Sequence, residues 1–220
     1  MKTVFIDYMG TIVSEESRYV NEVIYRCHKQ AHTESPSEVA AAWFRLHDSL
    51  LGKYCGRDFK PEHDIAVETF ERIMEEYGFT DSADELCHGL EMHWMYSPVF
   101  DDTKEFFEEC PLPIYLVSNN DDKYLEEAVK RLKIHPAGII TSEKAGYYKP
   151  DRRIFQEALK ISGCAPEEVV HIGDSLESDV KGAMSAGITP WLVDRDGRKE
   201  IEGVRRFGSL REVLKELRIG

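Results

Sequence analysis

The nine residues TVFIDYMGT, residues 3–11, decide the fold class of this chain. Residues 3–6 are short, apolar and rich in side chains that favour strands, which is typical of a strand buried on both faces. Asp7 stands at the carboxyl end of that strand, and Gly10 and Thr11 follow it. In a doubly wound sheet, ligands bind outside the carboxyl ends of the strands. This stretch therefore predicts both a central strand and one residue of a ligand site.

Similar apolar segments recur along the chain at residues 113–117, 138–141, 169–172 and 190–193. Amphipathic helical patterns lie between them, at 121–132 and 151–161. A last helix begins at the capping pair Ser209 and Glu212. Strands that alternate with helices of about 10–15 residues predict an α/β fold with a doubly wound parallel sheet.

Residues 15–96 interrupt this alternation, because they contain no convincing strand. Amphipathic stretches occupy that part of the chain instead, at residues 19–32, 37–51, 61–77 and 82–94. Short breaks separate these stretches, which predicts a small helical bundle. We therefore expect an α/β core formed by residues 1–14 and 97–220, and an α-helical cap domain formed by residues 15–96.

The composition limits the classes of function. The 220 residues include 28 Lys and Arg against 41 Asp and Glu, and the resulting net charge of −13 disfavours nucleic acid and anionic membranes as partners. No apolar run approaches the roughly 18–20 residues of a membrane span, and the amino terminus shows no secretory signal pattern. The five cysteines form no CxxC pair. We therefore expect a cytoplasmic protein, and the sequence leaves its oligomeric state open.

Polar residues stand at or after the carboxyl ends of the predicted strands. Each alone is most often a helix cap, a turn residue or a solvated charge. Chance does not readily explain why all of them would lie at one edge of one sheet. Their convergence therefore predicts a ligand site there. The residues are Asp7, Ser118, Asn119, Lys149, Asp174 and Asp179.

The side chains at this edge indicate chemistry on a phosphorylated substrate. Asp7 and Asp174 would repel each other unless a cation lay between them, and carboxylate oxygens suit Mg²⁺. Lys149 adds a positive charge that keeps Asp7 ionised and can contact an anion. Ser118 and nearby backbone amides supply donors for phosphoryl oxygens. A carboxylate such as Asp7 can then act as the nucleophile.

The strings DYMGT, SNN, KP and GDSLESD, in that order along the chain, resemble the four motifs of the haloacid dehalogenase superfamily. Their spacing also fits that superfamily. The resemblance covers the predicted core, and the long gap between the first two motifs matches the helical cap found there. It implies a hydrolase of the phosphatase-like branch.

The resemblance implies a role for each matching residue. Asp7 would be the nucleophile that forms an aspartyl-phosphate, and Ser118 and Lys149 would bind the transferred group and order Asp7. The implied Mg²⁺ ligands are Asp7, the backbone carbonyl of Met9, Asp174 and, directly or through water, Asp179.

We expect the substrate to be a small phosphorylated metabolite. Near the motifs, Thr11, Ser118, Asn119 and Lys149 are its candidate contacts. Arg45 and Lys53 belong to a local positive group within the acidic chain. Such a group is either a solvated face or a patch that selects an anionic substrate.

Met9 departs from the pattern of the superfamily. Its phosphatases usually carry a second Asp at this position, which protonates the leaving group and then activates water. A thioether neither donates nor accepts a proton at neutral pH. Because general acid–base catalysis contributes roughly 10²–10⁴-fold, we expect slow or altered turnover unless another group supplies the proton.

Other branches of the superfamily also lack an acid at this position. Haloacid dehalogenases carry Tyr there and use no metal, whereas the loop from Asp174 to Asp179 keeps its acidic residues, which argues against dehalogenation. Phosphonoacetaldehyde hydrolases have a similar first motif and need a cap lysine for a Schiff base, for which Lys53 is the nearest candidate. A non-catalytic or nearly inactive relative that binds a phosphorylated metabolite or a protein is the remaining alternative. We favour the Mg²⁺-dependent phosphatase.

Overall fold

A six-stranded parallel sheet forms the centre of the computed structural model, which describes residues 1–199 and 201–219. Its strands are β1 (Thr3–Ile6), β2 (Ile114–Ser118), β3 (Gly138–Thr141), β4 (Val169–Gly173), β5 (Thr189–Val193) and β6 (Arg205–Phe207). They lie in the order β3-β2-β1-β4-β5-β6. The predicted doubly wound sheet is confirmed. The strand order reverses between β1 and β4, which opens a crevice at the carboxyl ends of these neighbours.

The first four α-helices after β1 are α1 (Arg18–Ala31), α2 (Pro36–Lys53), α3 (Glu62–Tyr77) and α4 (Ala83–Tyr96). We call them the inserted helices. They pack around a hydrophobic cluster that includes Val23, Ala66, Phe70 and Leu86, and Tyr124 from beyond β2 also belongs to it. The division into a core of residues 1–14 plus 97–220 and a cap of residues 15–96 stays a prediction.

The remaining helices are α5 (Thr103–Glu109), α6 (Asp122–Leu132), α7 (Ser142–Ala145), α8 (Arg152–Ser162), α9 (Gly182–Ser185) and α10 (Leu210–Ile219). They cover both faces of the sheet. Because side chains alternate between the faces along each strand, neighbouring residues of β1 pack against different helices. Val4 and Ile6 pack into one cluster with side chains of α5, α6 and α10. Phe5 packs into another cluster with side chains of α8.

Hydrogen bonds tie the inserted helices to the sheet beside the crevice. The carboxylate of Asp121, which follows β2, accepts the backbone N–H groups of Glu62 at 2.8 Å and His63 at 3.0 Å. A side chain of the core therefore caps the first turn of α3. On α4, the carbonyl of Trp94 accepts a hydrogen bond from the Tyr8 hydroxyl at 2.9 Å.

Among the described residues, no helix is both long and apolar enough to cross a membrane.

We expect Leu116→Ala to lower the free energy of unfolding by about 2–5 kcal/mol, because Leu116 is fully buried in the sheet and its truncation leaves a cavity. Ile161→Ala is the matched control, since Ile161 is 48% exposed on α8, and its effect should stay within about 0.5 kcal/mol. Urea unfolding measures both variants. Equal losses in the two would contradict the placement of Leu116 in the core.

Candidate active site

Strand pairing brings the candidate residues to one edge of the sheet. Asp7 directly follows β1, and its backbone N–H donates to the carbonyl of Ile172 in β4 at 2.9 Å. Ser118 ends β2, and Asp174 follows β4 directly. Because β1 lies between β2 and β4 and all three strands are parallel, these side chains meet at the crevice.

A buried ammonium group lies between two buried carboxylates. The Nζ atom of Lys149 is 2.5 Å from Oδ1 of Asp7 and 2.6 Å from Oδ1 of Asp179. Burial would lower the pKa of Lys149, but the charges of Asp179 and Asp7 outweigh burial and raise it. Lys149 is therefore charged at neutral pH and compensates carboxylates that would be very costly to bury alone.

The two carboxylates differ in how well they are compensated. Burial raises the pKa of Asp7 well above its usual range, against the opposing charge of Lys149. Burial would also raise the pKa of Asp179, but Lys149 and a hydrogen bond from His171 outweigh it and lower that pKa. Asp179 has a second compensating contact, His171, in addition to the lysine that it shares with Asp7.

Asp179 is held in place by strand β4 and by the loop that follows it. Its Oδ1 atom lies 2.9 Å from Nε2 of His171, and its Oδ2 atom accepts the backbone N–H of Ser175 at 3.0 Å. Burial lowers the pKa of His171, so the neutral ring donates from Nε2. Gly173 leaves room for this arrangement, because a Cβ atom there would lie 2.2 Å from Cγ of Asp179. The π-helical segment Leu176–Lys181 brings Asp179 back toward the strand end.

Asp174 is fixed by contacts from other loops. Thr11 donates to its Oδ1 atom at 3.3 Å, and Nζ of Lys199 lies 3.1 Å from its Oδ2 atom. Gly10 has a φ of +84°, and a Cβ atom there would lie 2.4 Å from Oδ1 of Asp174. Glycine is therefore required at position 10 for two reasons, the backbone conformation and the close approach of Asp174.

The donor set fits a hard divalent cation. One carboxylate oxygen from each of Asp7, Asp174 and Asp179 lies within 4.8 Å of the others. An oxygen-only set of this kind suits Mg²⁺. Lys149 and Lys199 supply two positive charges against these three carboxylates, so the cluster keeps a negative charge for a cation to neutralise. The backbone carbonyl of Met9 as a fourth ligand stays a prediction.

Asn119 joins two of the loops at the crevice. Its Oδ1 atom accepts the backbone N–H of Lys149 at 2.7 Å, and its Nδ2 atom donates to the carbonyl of Lys149 at 3.4 Å. The Ser118 hydroxyl donates to Oδ1 of Asn120 at 3.1 Å. Asn119 therefore positions the lysine, and its amide is already engaged there.

A cavity of about 720 Å³ opens onto this cluster. Most of the predicted site residues line it: Asp7, Met9, Ser118, Asn119, Lys149, Asp174 and Asp179. Thr11 is fully buried behind Asp174 and does not line the cavity.

Arg45 lies beside Glu76 with its side chain 70% exposed, and Nζ of Lys53 stacks over the Tyr54 ring. Neither Arg45 nor Lys53 lines the cavity, so the structure does not support a contact between either side chain and the substrate.

The structure adds residues that the sequence patterns did not single out. Glu62 of α3 lines the cavity, and His171 and Lys199 contact the carboxylate cluster. A histidine inside the apolar segment VVHIG was a readable signal, because buried strands rarely keep a polar side chain without a partner. Glu62 gave no such signal, since acidic residues are common in the first turn of any helix.

Comparison of the sequence with known proteins identifies a family for this chain. The sequence profile of the family described as "Hydrolase: haloacid dehalogenase-like hydrolase" matches residues 1–187. Phosphoserine phosphatase from Thermus thermophilus is 33% identical over 152 residues, which cover 66% of this chain and 61% of that protein. Glyceraldehyde 3-phosphate phosphatase from Methanothermobacter thermautotrophicus is 40% identical over 72 residues, 32% of each chain. The chain thus spans about a third to three fifths of the length of these relatives.

Solved structures share the whole fold. The magnesium-bound hydrolase YfnB from Bacillus subtilis superposes with a TM-score of 0.79 at 18% identity, covering 99% of this chain and 98% of that one. The L-2-haloacid dehalogenase RSc1362 superposes with a TM-score of 0.80 at 15% identity and covers 99% of both chains. At these identities the likeness shows the fold alone.

We expect Asp174→Asn to lower the affinity for Mg²⁺ by about tenfold or more, because the amide removes one negative charge from the cluster. Calorimetric titration with Mg²⁺ measures the affinity. Asp101→Asn is the matched control, since the Asp101 side chain is 83% exposed and lies outside the cluster. Equal affinity in the wild type and Asp174→Asn would remove Asp174 from the metal site.

Proposed function

The chain belongs to the haloacid dehalogenase-like hydrolases, and we propose that it is a Mg²⁺-dependent phosphatase that forms an aspartyl-phosphate on Asp7. The observation that carries this proposal is the position of Asp7, which lines the cavity, pairs with a buried lysine and lies within 4.8 Å of a second carboxylate, Asp174. Such a carboxylate can attack phosphorus while the neighbouring groups bind the phosphoryl oxygens.

Each residue of the cluster has a distinct role in the proposed reaction. Asp7 attacks the phosphorus atom, and the bond to the leaving oxygen breaks. Lys149 and the Ser118 hydroxyl bind the transferred phosphoryl oxygens. Asp174 and Asp179 contribute to the divalent-cation site. When bound, Mg²⁺ would neutralise charge on the phosphoryl group and hold it against the nucleophile.

The shape and charge of the cavity favour an uncharged leaving group. A second cavity of about 230 Å³ continues from the first among the inserted helices, and the two share Met9, Trp94 and Asn119 on their walls. Its lining is mainly apolar, with side chains such as Val23, Trp43 and Phe70.

The walls of both cavities also carry acidic side chains. Glu15 and Asp48 line both cavities. Among the described residues that line them, Lys149 is the only lysine or arginine, and its charge is already shared by Asp7 and Asp179. A leaving group with its own negative charge would therefore meet only repulsion. We infer a small phosphomonoester whose leaving group has no net negative charge. Neutral glyceraldehyde and zwitterionic serine, the leaving groups of the substrates named in the two relatives, both meet this condition.

The alternatives have less support. A Schiff-base mechanism needs a cavity lysine from the inserted helices, whereas Nζ of Lys53 lies outside the cavity beside the Tyr54 hydroxyl at 3.0 Å. Met9 favours binding without turnover, since it replaces the usual acid. The ion pairs of Lys149 with Asp7 and Asp179 favour chemistry, because a binding protein has no need of a buried carboxylate nucleophile.

We expect Asp7→Asn to abolish hydrolysis of p-nitrophenyl phosphate in the presence of Mg²⁺, because an amide is a poor nucleophile. Release of nitrophenolate measures the rate. Asp101→Asn makes the same chemical change on the surface and should keep the wild-type rate. Undiminished activity of Asp7→Asn would exclude Asp7 as the nucleophile.

We expect kcat/KM for glyceraldehyde 3-phosphate to exceed that for 3-phosphoglycerate by about tenfold or more, because like charges brought together in the cavity repel. The two substrates share a carbon skeleton and differ in one group, an aldehyde against a carboxylate. Phosphate release measures both. A preference for 3-phosphoglycerate would contradict the assignment of an uncharged leaving group.

A further inference from the structure

Glu62 is a buried carboxyl group at the wall of the active-site cavity. It is the first residue of α3, it is 9% exposed, and it lines both cavities together with Met9. Its Oε2 atom accepts a hydrogen bond from Nδ2 of Asn120 at 3.2 Å. Asn120 in turn accepts the Ser118 hydroxyl at 3.1 Å. Two hydrogen bonds therefore connect Glu62 to a predicted phosphate-binding residue.

The core fixes the backbone of this glutamate. Asp121 accepts the N–H groups of Glu62 and His63, as described above, and directly follows Asn120 in the chain. The loop after β2 thus holds both the start of α3 and the Glu62 side chain. Although Glu62 belongs to an inserted helix, its place relative to Ser118 is set by neighbouring residues of the core.

The other oxygen of Glu62 faces a neutral histidine. The Thr69 hydroxyl donates to the carbonyl of Ile65 at 2.7 Å, so it accepts the hydrogen bond from Nδ1 of His47 at 3.3 Å. Burial lowers the pKa of His47 to about 4, which leaves the lone pair on Nε2. That nitrogen lies 3.7 Å from Oε1 of Glu62. A lone pair there favours a protonated carboxyl group over a carboxylate.

The surroundings keep the proton on Glu62 near neutral pH. Burial raises the pKa of Glu62 to about 8, while the hydrogen bond from Asn120 and the charge of Lys149 act in the opposite direction. Titratable groups face it from several elements: His47 and Asp48 on α2, His63 on α3, Asp121 before α6, and Tyr148 and Lys149 after α7. His47 is neutral and Lys149 is bound to two other carboxylates, so neither neutralises a Glu62 carboxylate.

We propose that Glu62 is the proton donor of this site and replaces the acid that is missing at Met9. The inference rests on the proposed phosphatase function. As Asp7 attacks phosphorus, the bonding electron pair goes to the leaving oxygen, and the carboxyl proton of Glu62 goes to that oxygen to give an alcohol. The Glu62 carboxylate then takes a proton from the water that attacks the aspartyl-phosphate. This step releases phosphate and restores both Asp7 and protonated Glu62.

Glu62→Gln tests the proposal, because glutamine keeps the shape and can still accept the hydrogen bond from Asn120 but has no acidic proton. Two esters are compared at saturating Mg²⁺. Glyceraldehyde 3-phosphate has an alkoxide leaving group that needs a proton, whereas p-nitrophenolate leaves without one. We expect kcat for the alkyl ester to fall roughly 10²–10⁴-fold and the first release of nitrophenolate to persist at nearly the wild-type rate. Glu71→Gln, an exposed change on the same helix, should affect neither ester.

The pH profile gives a readout that a merely structural role would not move. In the wild type, the rate with the alkyl ester should fall as pH rises through about 8, because Glu62 then loses the proton that it must donate. In Glu62→Gln this limb should disappear. In Glu62→Gln/Met9→Asp the alkyl ester should recover, since a carboxyl group at position 9 restores an acid to the cavity.

Each outcome decides between the two proposals. If the wild type hydrolyses both esters and Glu62→Gln leaves their ratio and the high-pH limb unchanged, Glu62 is not the proton donor and the phosphatase function stands. An equal loss of the alkyl-ester rate and of the first nitrophenolate release, without rescue by Met9→Asp, also overturns the role of Glu62. If the wild type hydrolyses neither ester, the phosphatase function fails, and the role of Glu62 fails with it.

Discussion

The ammonium group of Lys149 is the contact on which the site depends. Its nitrogen lies within 2.6 Å of two carboxylates, Asp7 directly after β1 and Asp179 in the segment that follows β4, and all three residues are buried. Without that charge, each carboxylate would be buried uncompensated, which costs several kcal/mol per ion. Asn119 fixes the lysine backbone, and His171 fixes Asp179. Asn119 and His171 therefore keep the lysine and the two carboxylates in contact.

The topology of the sheet explains why these charged groups meet at the carboxyl ends of β1 and β4. The sheet order reverses between β1 and β4, so the residues after these strands face a crevice rather than a covering helix. The chain leaves β1 through that crevice, forms the inserted helices and returns to β2. This route brings Glu62 to the cavity wall, where Asp121 of the core caps its helix. In the proposed mechanism the nucleophile comes from the sheet and the proton from an inserted helix, so catalysis needs both to be held together.

The sequence predicted the features that local patterns encode. Apolar strands at the sheet centre, amphipathic helices and the polar residues at strand ends follow from periodicity and position. The edge strand β6 was missed because Arg205 and Arg206 are exposed and give no apolar pattern. The sequence makes Arg45 and Lys53 candidate anion contacts, but both charges lie outside the cavity. The helical periodicity of α2 buries Val39, Ala42, His47 and Leu50 instead. Glu62 could not be found, because its burial and its partners depend on contacts between distant parts of the chain.

Detection of a covalent intermediate on Asp7 tests the proposed phosphatase mechanism most directly. The wild-type protein is mixed with p-nitrophenyl phosphate and Mg²⁺, quenched with acid within milliseconds, reduced with borohydride and examined by peptide mass spectrometry. An aspartyl-phosphate is reduced by this treatment, whereas a free carboxylate is not. We expect conversion of Asp7 to homoserine at early times, with other aspartates unchanged. Phosphate release with Asp7 unmodified at every quench time would contradict it.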